Sequence, residues 1–247
     1  MAKIISFDIW DTILKRKCHP EEIKLHTANY LMLKHEQNLK EKYKDIYQIL
    51  KLRDQIEADM CKENKENGFD DECRILDVFK KLQKEILIDS NNDISEELLR
   101  VELEQEKRNI FINPEILPIF EKYKDLKMYC ISDFYMSADN LKELLDYVKV
   151  PVKIEKIYSS ADYLLNKRSG NLYKKAEEEK QRQEAEKAEQ ERQATEAATI
   201  TSNSSASNSG SGYSSSSNSN SNNSSSAASS SNNSANSSNN NYSGNSN

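Results

Sequence analysis

The chain has little of what builds disulfide frameworks, metal centres or membrane spans. Among 247 residues there are four Cys, three His, one Trp and only five Gly and four Pro. Cys18, Cys61, Cys73 and Cys130 show neither CxxC pairing nor other metal-ligand spacing, so they read as free thiols. His19, His26 and His35 fall near one helical pattern with no ligand spacing, and read as solvated surface residues. No apolar run approaches the roughly 20 residues of a membrane helix, and the first residues lack the pattern of a secretory signal. A cytoplasmic protein with no membrane partner is therefore expected. Thirty-five basic against 41 acidic residues leave no basic surface suited to nucleic acid.

Charge is also absent from the whole C-terminal region. The last charged residue is Glu196, and Ser, Asn, Ala and Gly dominate from Thr199 onward. Such a tract has nothing apolar to offset about 1–2 kcal/mol per residue of backbone ordering entropy, so residues 199–247 are expected to be a disordered tail. Residues 176–198 are rich in Glu, Gln, Lys and Arg but carry no apolar stripe, which predicts an exposed, fraying charged helix.

What remains alternates strand and helix patterns. Lys3 to Asp8 is a short apolar run ending in a carboxylate, Leu126 to Ser132 ends in a hydroxyl, and Lys153 to Ser159 ends in a Ser-Ser pair. Ile116 to Tyr123, entered through Pro114, and Ser137 to Val148 read as helices around the second strand. Strand, helix, strand implies a parallel α/β unit, whose ligands bind at the carboxyl ends of the strands. Residues 18–111 exceed any simple crossover and read as helices throughout, one starting at Pro20 and one capped by Ser95. They are expected to form either an inert bundle or a lid over the strand ends. The predicted organisation is a core of residues 1–17 and 112–175, the helical insertion 18–111, the charged helix and the tail.

The strand-end residues carry a resemblance. Phe7-Asp8-Ile9-Trp10-Asp11-Thr12, Ile131-Ser132-Asp133 and Asn166-Lys167-Arg168-Ser169-Gly170 together resemble the haloacid dehalogenase (HAD) superfamily, in a bacterial branch attached to surface-polysaccharide biosynthesis. The likeness covers about residues 3–175. It implies a HAD-like Rossmannoid sheet with a helical cap between its first two strands, Mg²⁺ as cofactor, and phosphomonoester hydrolysis through an aspartyl-phosphate. The substrate would be a phosphorylated small molecule, a sugar derivative among the options. By position Asp8 would be nucleophile and metal ligand, Ser132 would bind phosphoryl oxygens, and Lys167 would balance charge; Asp133, Trp10 and Arg168 would line the substrate site. The underlying chemistry needs those groups: a fixed carboxylate, donors on the equatorial oxygens and a cation.

Two departures cut against full activity. The family's phosphatases carry a second Asp two residues after the nucleophile, and Trp10 stands there. An indole cannot transfer a proton, so a factor of about 10²–10⁴ is at stake unless Asp11, otherwise a turn acid, substitutes. The second is the family's fourth motif, a strand ending in paired acids. No apolar run follows Lys175, so the sheet is expected to be incomplete, the first strand to lie at an open edge and the Mg²⁺ site to lack a ligand, with Asp133 or Asp162 the nearest substitutes. The rival expectation is a non-catalytic module that binds a phosphorylated ligand or a protein partner, or a fragment without activity.

Overall fold

Three parallel strands set the frame. In the computed structural model, which describes the backbone of residues 4–205 and the side chains of residues 4–195, β1 (Ile4–Phe7), β4 (Lys127–Ser132) and β5 (Ile154–Ser159) form one sheet in the order β1-β4-β5. Ile4 pairs with Lys127 and Phe7 with Cys130, while Ser132 pairs with Ser159, so the three carboxyl ends share an edge. Each strand ends where the apolar run meets Asp8, Asp133 or Ser160, groups that suit the rim of a sheet better than its interior. Met128, Cys130, Ile157 and Tyr158 are buried, as strands packed on two faces should be. β1 is an edge strand among the described residues, as the absence of a further apolar run implied.

The chain leaves β1 through a tight turn and a second, two-stranded sheet. β2 (Leu14–Arg16) pairs antiparallel with β3 (Ile110–Ile112), a pair of strands too short for sequence periodicity to reveal. Between its strands stand four helices: α1 (Pro20–His35), α2 (Ile46–Glu66), α3 (Ile75–Ile86) and α4 (Ser95–Asn109). Their apolar faces, including Leu31, Ile49, Phe79, Leu82 and Leu98, join one core with Phe7, Ile9 and Cys130 of the sheet region. Inside it Arg53 makes two 2.7 Å bonds to Glu102, and Thr27 donates to the same carboxylate. Arg16 reaches from β2 to the buried Glu106 at 2.9 and 2.7 Å. Burial alone would lower the Arg16 pKa, but the bond and charge of Glu106 outweigh it and raise it.

Several local expectations change. The carboxylate of Asp93, rather than Ser95, accepts the Ser95 N–H at the start of α4. His19 and His26 are exposed as expected, His19 also capping α1, while His35 is partly buried and contacts Glu97 at 3.1 Å. α5 (Leu117–Lys122) and α6 (Ala138–Tyr147), capped by Ser137, flank β4 as anticipated. A single turn, α7 (Ser160–Tyr163), follows β5.

α8 (Asn171–Ser205) departs most from expectation. It begins five residues before the predicted charged helix and runs to Ser205, past the expected boundary at Thr199. Its first turns are docked: Leu172 and Ala176 are buried against Ile131 and Tyr158, and Glu179 is buried because Lys156 pairs with it. A paired glutamate thus stood where an apolar stripe was sought. The described residues up to 193 form one compact unit, and residues 194–205 continue as helix; the expected tail beyond residue 205 lies outside the described residues. Among the described residues no helix is long and apolar enough to cross a membrane.

Candidate functional site at the strand ends

Asp8 follows the last residue of β1 and is held from two directions. The Ile9 N–H donates to its Oδ1 at 2.8 Å, and Lys167 Nζ donates to its Oδ2 at 2.6 Å, across 159 positions of sequence. The pair is partly open to solvent, with side-chain exposures of 39% for Asp8 and 19% for Lys167. On the neighbouring strand, Ser132 ends β4 fully buried, and among the described residues its hydroxyl has no hydrogen-bond partner. A buried hydroxyl without a partner is costly, which marks the position as one a polar ligand would complete.

Asp133 closes the other flank. Its carboxylate accepts the Lys167 N–H at 2.9 and 3.2 Å, fixing the backbone from which the Lys167 side chain reaches Asp8. Burial, with a further push from the nearby Asp8 charge, raises the Asp133 pKa, although the Lys167 bond and charge oppose this. The Asp133–Ser137 loop is laced to the residues after β5. Ser159 Oγ donates to the Met136 carbonyl at 2.6 Å, the Phe134 N–H donates to Ser160 Oγ at 2.9 Å, and the Ala138 N–H donates to Asp162 at 2.8 Å. The Ser-Ser pair that closes β5 is therefore scaffolding for the neighbouring loop, and Asp162 is a cap of α6.

Trp10 packs. Its ring lies 4.7 Å from that of Phe134, with the Arg16 guanidinium 3.7 Å from its centroid on a cation–π contact, and its buried Nε1 has no partner among the described residues. Asp11 is exposed in the turn that joins β1 to β2, with φ +59, a left-handed backbone that Asp tolerates better than most residues, and its N–H donates to the Leu14 carbonyl. Its described bond is this turn bond, with none to Asp8 or Lys167. Arg168 points away to Asp71 at 3.1 Å, and its side chain is 71% exposed. Lys174 is likewise exposed on α8, leaving Lys167 as the cation at Asp8.

Sequence reasoning missed a second set of residues. Asp70, Asp71, Glu72 and Arg74, between α2 and α3, meet the loop that carries Lys167. Only their position in a loop beside Gly68 hinted at them. Glu72 is half-buried there, and burial raises its pKa, with Asp133 adding to the effect and Ser160 opposing it.

A hard divalent cation wants six or more oxygen ligands. Among the described residues no group of three or more His, Cys, Asp or Glu is gathered to hold one, and the carboxylates of Asp8 and Asp133 are both engaged with Lys167. The described residues do not by themselves compose such a site, so Mg²⁺ rests on the resemblance alone. No family model matches the chain, and the search of curated proteins returns no match.

Proposed function

We propose that the chain is a HAD-like protein whose strand-end site takes the phosphoryl group of a phosphorylated small molecule, with the four helices α1–α4 as its cap. The observation that carries this reading is the conjunction of Asp8, Lys167 at 2.6 Å and the buried, unpartnered hydroxyl of Ser132 on one sheet edge. A phosphoryl group placed there meets a carboxylate nucleophile, a cation and a free donor together, which is what in-line phosphoryl transfer asks of a protein. Asp8 Oδ would attack phosphorus, the ester P–O bond would break, and the alkoxide would leave, taking its proton from solvent. Water would then attack the aspartyl-phosphate, releasing phosphate and restoring the carboxylate.

The weak point is the proton. Trp10 cannot donate one, and it is clamped between Arg16 and Phe134 in the position where the family places its acid. Turnover therefore runs about 10²–10⁴ below that of an enzyme with a positioned general acid. This clamp favours one second reading, a cytoplasmic module that binds a phosphorylated ligand and turns it over slowly or not at all. Phosphate release from a panel of phosphomonoesters, measured in Mg²⁺ buffer beside Asp8→Asn, separates the two. Release that disappears in the variant supports the enzyme, whereas ligand-induced stabilisation without release supports the module. Release that survives Asp8→Asn sinks the assignment of the nucleophile.

A further inference from the structure

The strand-end site depends on a cation delivered by a loop, and the loop is held by residues from the intervening helices. We infer that Asp70 and Asp71 position Lys167, making the helical segment a fixed wall of the anion site rather than a lid that swings clear of it; this rests on reading Asp8 and Lys167 as a phosphate site.

The bonds converge on a few residues. Asp70 Oδ2 accepts the Asn166 N–H at 2.8 Å and the Ser169 hydroxyl at 2.6 Å, Asn171 Nδ2 donates to Asp70 Oδ1 at 3.1 Å, and the Asp70 N–H donates to the Leu164 carbonyl at 2.9 Å. Asp71 Oδ1 accepts from Asn166 Nδ2 at 2.9 Å and from Arg168 at 3.1 Å. Two loop acids thus bracket Lys167 on both sides in sequence, while Asp133 holds its own N–H. Asn166 is itself buried, and its side chain accepts the Ser169 N–H, so the tether acts on an already folded turn.

The loop's backbone needs such restraint. Leu164 sits at φ +54, in the left-handed region that bulky residues avoid, and Gly170 at φ +80. A strained residue persists where its surroundings over-determine it, and here Asp70 supplies a bond to the strained residue's own carbonyl. Arg74 extends the attachment, donating to the carbonyls of Ala161 and Asp162 at 2.8 and 2.7 Å, and the Ile75 N–H donates to the Tyr135 carbonyl at 2.9 Å. A lid that opened at this corner would break every one of these bonds and release the lysine.

Inorganic phosphate binding, read by titration of Trp10 fluorescence on the full chain, tests the inference together with amide hydrogen exchange at residues 166–171. Asp70→Ala is expected to weaken phosphate binding about tenfold, within the up to 100-fold cost of misplacing an active group by 1 Å, and to speed exchange of the Lys167 amide. Asp70→Asn keeps one acceptor oxygen and restores part of both, and it also serves if the alanine variant does not fold. Asp93→Ala, which removes a loop carboxylate bonded to Gln83 and Ser95 and not to the Lys167 loop, lowers the melting temperature but leaves phosphate affinity unchanged. Wild-type affinity and unchanged exchange in both Asp70 variants, beside a loss in Lys167→Met, would overturn the positioning role. No phosphate binding by the wild type overturns the site reading instead, and the exchange data still decide the tether.

Discussion

Asp8 and a phosphate dianion compete for the same lysine, so replacing the two partners of one ion pair should move phosphate affinity in opposite directions. Lys167→Met removes a charge-assisted hydrogen bond to the ligand, of a kind that contributes about 1.5–3 kcal/mol. With each 1.4 kcal/mol counting tenfold, the Kd for phosphate should rise roughly 10- to 100-fold. Asp8→Asn keeps the shape, frees Lys167 and removes a like charge from beside the ligand. Unit charges 4 Å apart at an effective dielectric of about 20 repel by about 4 kcal/mol. Because the Asp8 side chain is 39% exposed, solvent screening reduces this to about a third, or about tenfold tighter binding. Stability should change by less than about 1 kcal/mol in Lys167→Met, as expected for a partly exposed pair. Trp10 is the only tryptophan and lies two residues from Asp8, so its emission reports the site in an unlabelled protein. Titration with inorganic phosphate in EDTA measures both constants. Shifts of the same sign in the two variants, or no shift in either, would refute the competition and with it the phosphate site.

Three other outcomes follow from the structure. Arg53→Met leaves the buried Glu102 carboxylate with Thr27 alone, which should cost about 3–5 kcal/mol; at about 2–4 °C per kcal/mol, the melting temperature should fall by about 10 °C. Arg53→Met/Glu102→Leu should recover most of that loss, and a single variant within about 1 kcal/mol of wild type would contradict the argument. Alkylation mapped by mass spectrometry should label Cys61 early, since it is partly exposed and its interaction with Cys73 lowers its thiol pKa, and Cys130 only on unfolding, since burial pushes that thiol up to about 12; early labelling of Cys130 in the native protein would be inconsistent with its place in the sheet. Bonds from Ser95 and Gln83 hold the Asp93 carboxyl down at about 2. A depressed carboxyl stabilises the fold above its unfolded value of about 3.9 and loses that contribution as pH falls toward 2. Asp93→Asn should therefore flatten the acid limb of a stability profile between about pH 4 and 2, and an unaltered limb would count against the cap.

The parts legible in the sequence are those where apolar runs meet a single polar residue. β1, β4 and β5 all end within a residue or two of the expected positions, because apolar residues crowd the last part of each run before Asp8, Asp133 or Ser160. Ser137 announced α6 because its hydroxyl accepts the Asn140 N–H, a bond that sequence spacing encodes. Long-range polar pairing was not legible. Glu179 reads as a solvated charge until Lys156, 23 residues away, is seen to pair with it, and Asp70 reads as a loop acid until Asn166, 96 residues away, is seen to donate to it. The β2–β3 pair escaped for another reason: three residues per strand carry too little alternation to tell from a loop. The meeting of Asp8 with Lys167 was anticipated through the ordered strand-end motifs, not through any local pattern.

β1 has a hydrogen-bonded neighbour on one side only among the described residues, so the sheet alone holds Asp8 less firmly than it would in a central strand. The missing restraint comes from the turn that follows. The N–H groups of Ile13 and Leu14 both donate to the Ile9 carbonyl, and Asn113, just after β3, donates through its side chain to the Thr12 carbonyl and through its backbone to that of Ile13. The two ends of the helical segment are thereby tied together directly beyond Asp8, while its far loop, through Asp70, ties down Lys167. Both members of the ion pair are thus placed by the same intervening helices. A destabilised helix packing, as in Arg53→Met, should consequently loosen the site from both sides even though Arg53 is not part of it, and the loss of phosphate affinity in that variant should exceed what its unfolded fraction accounts for.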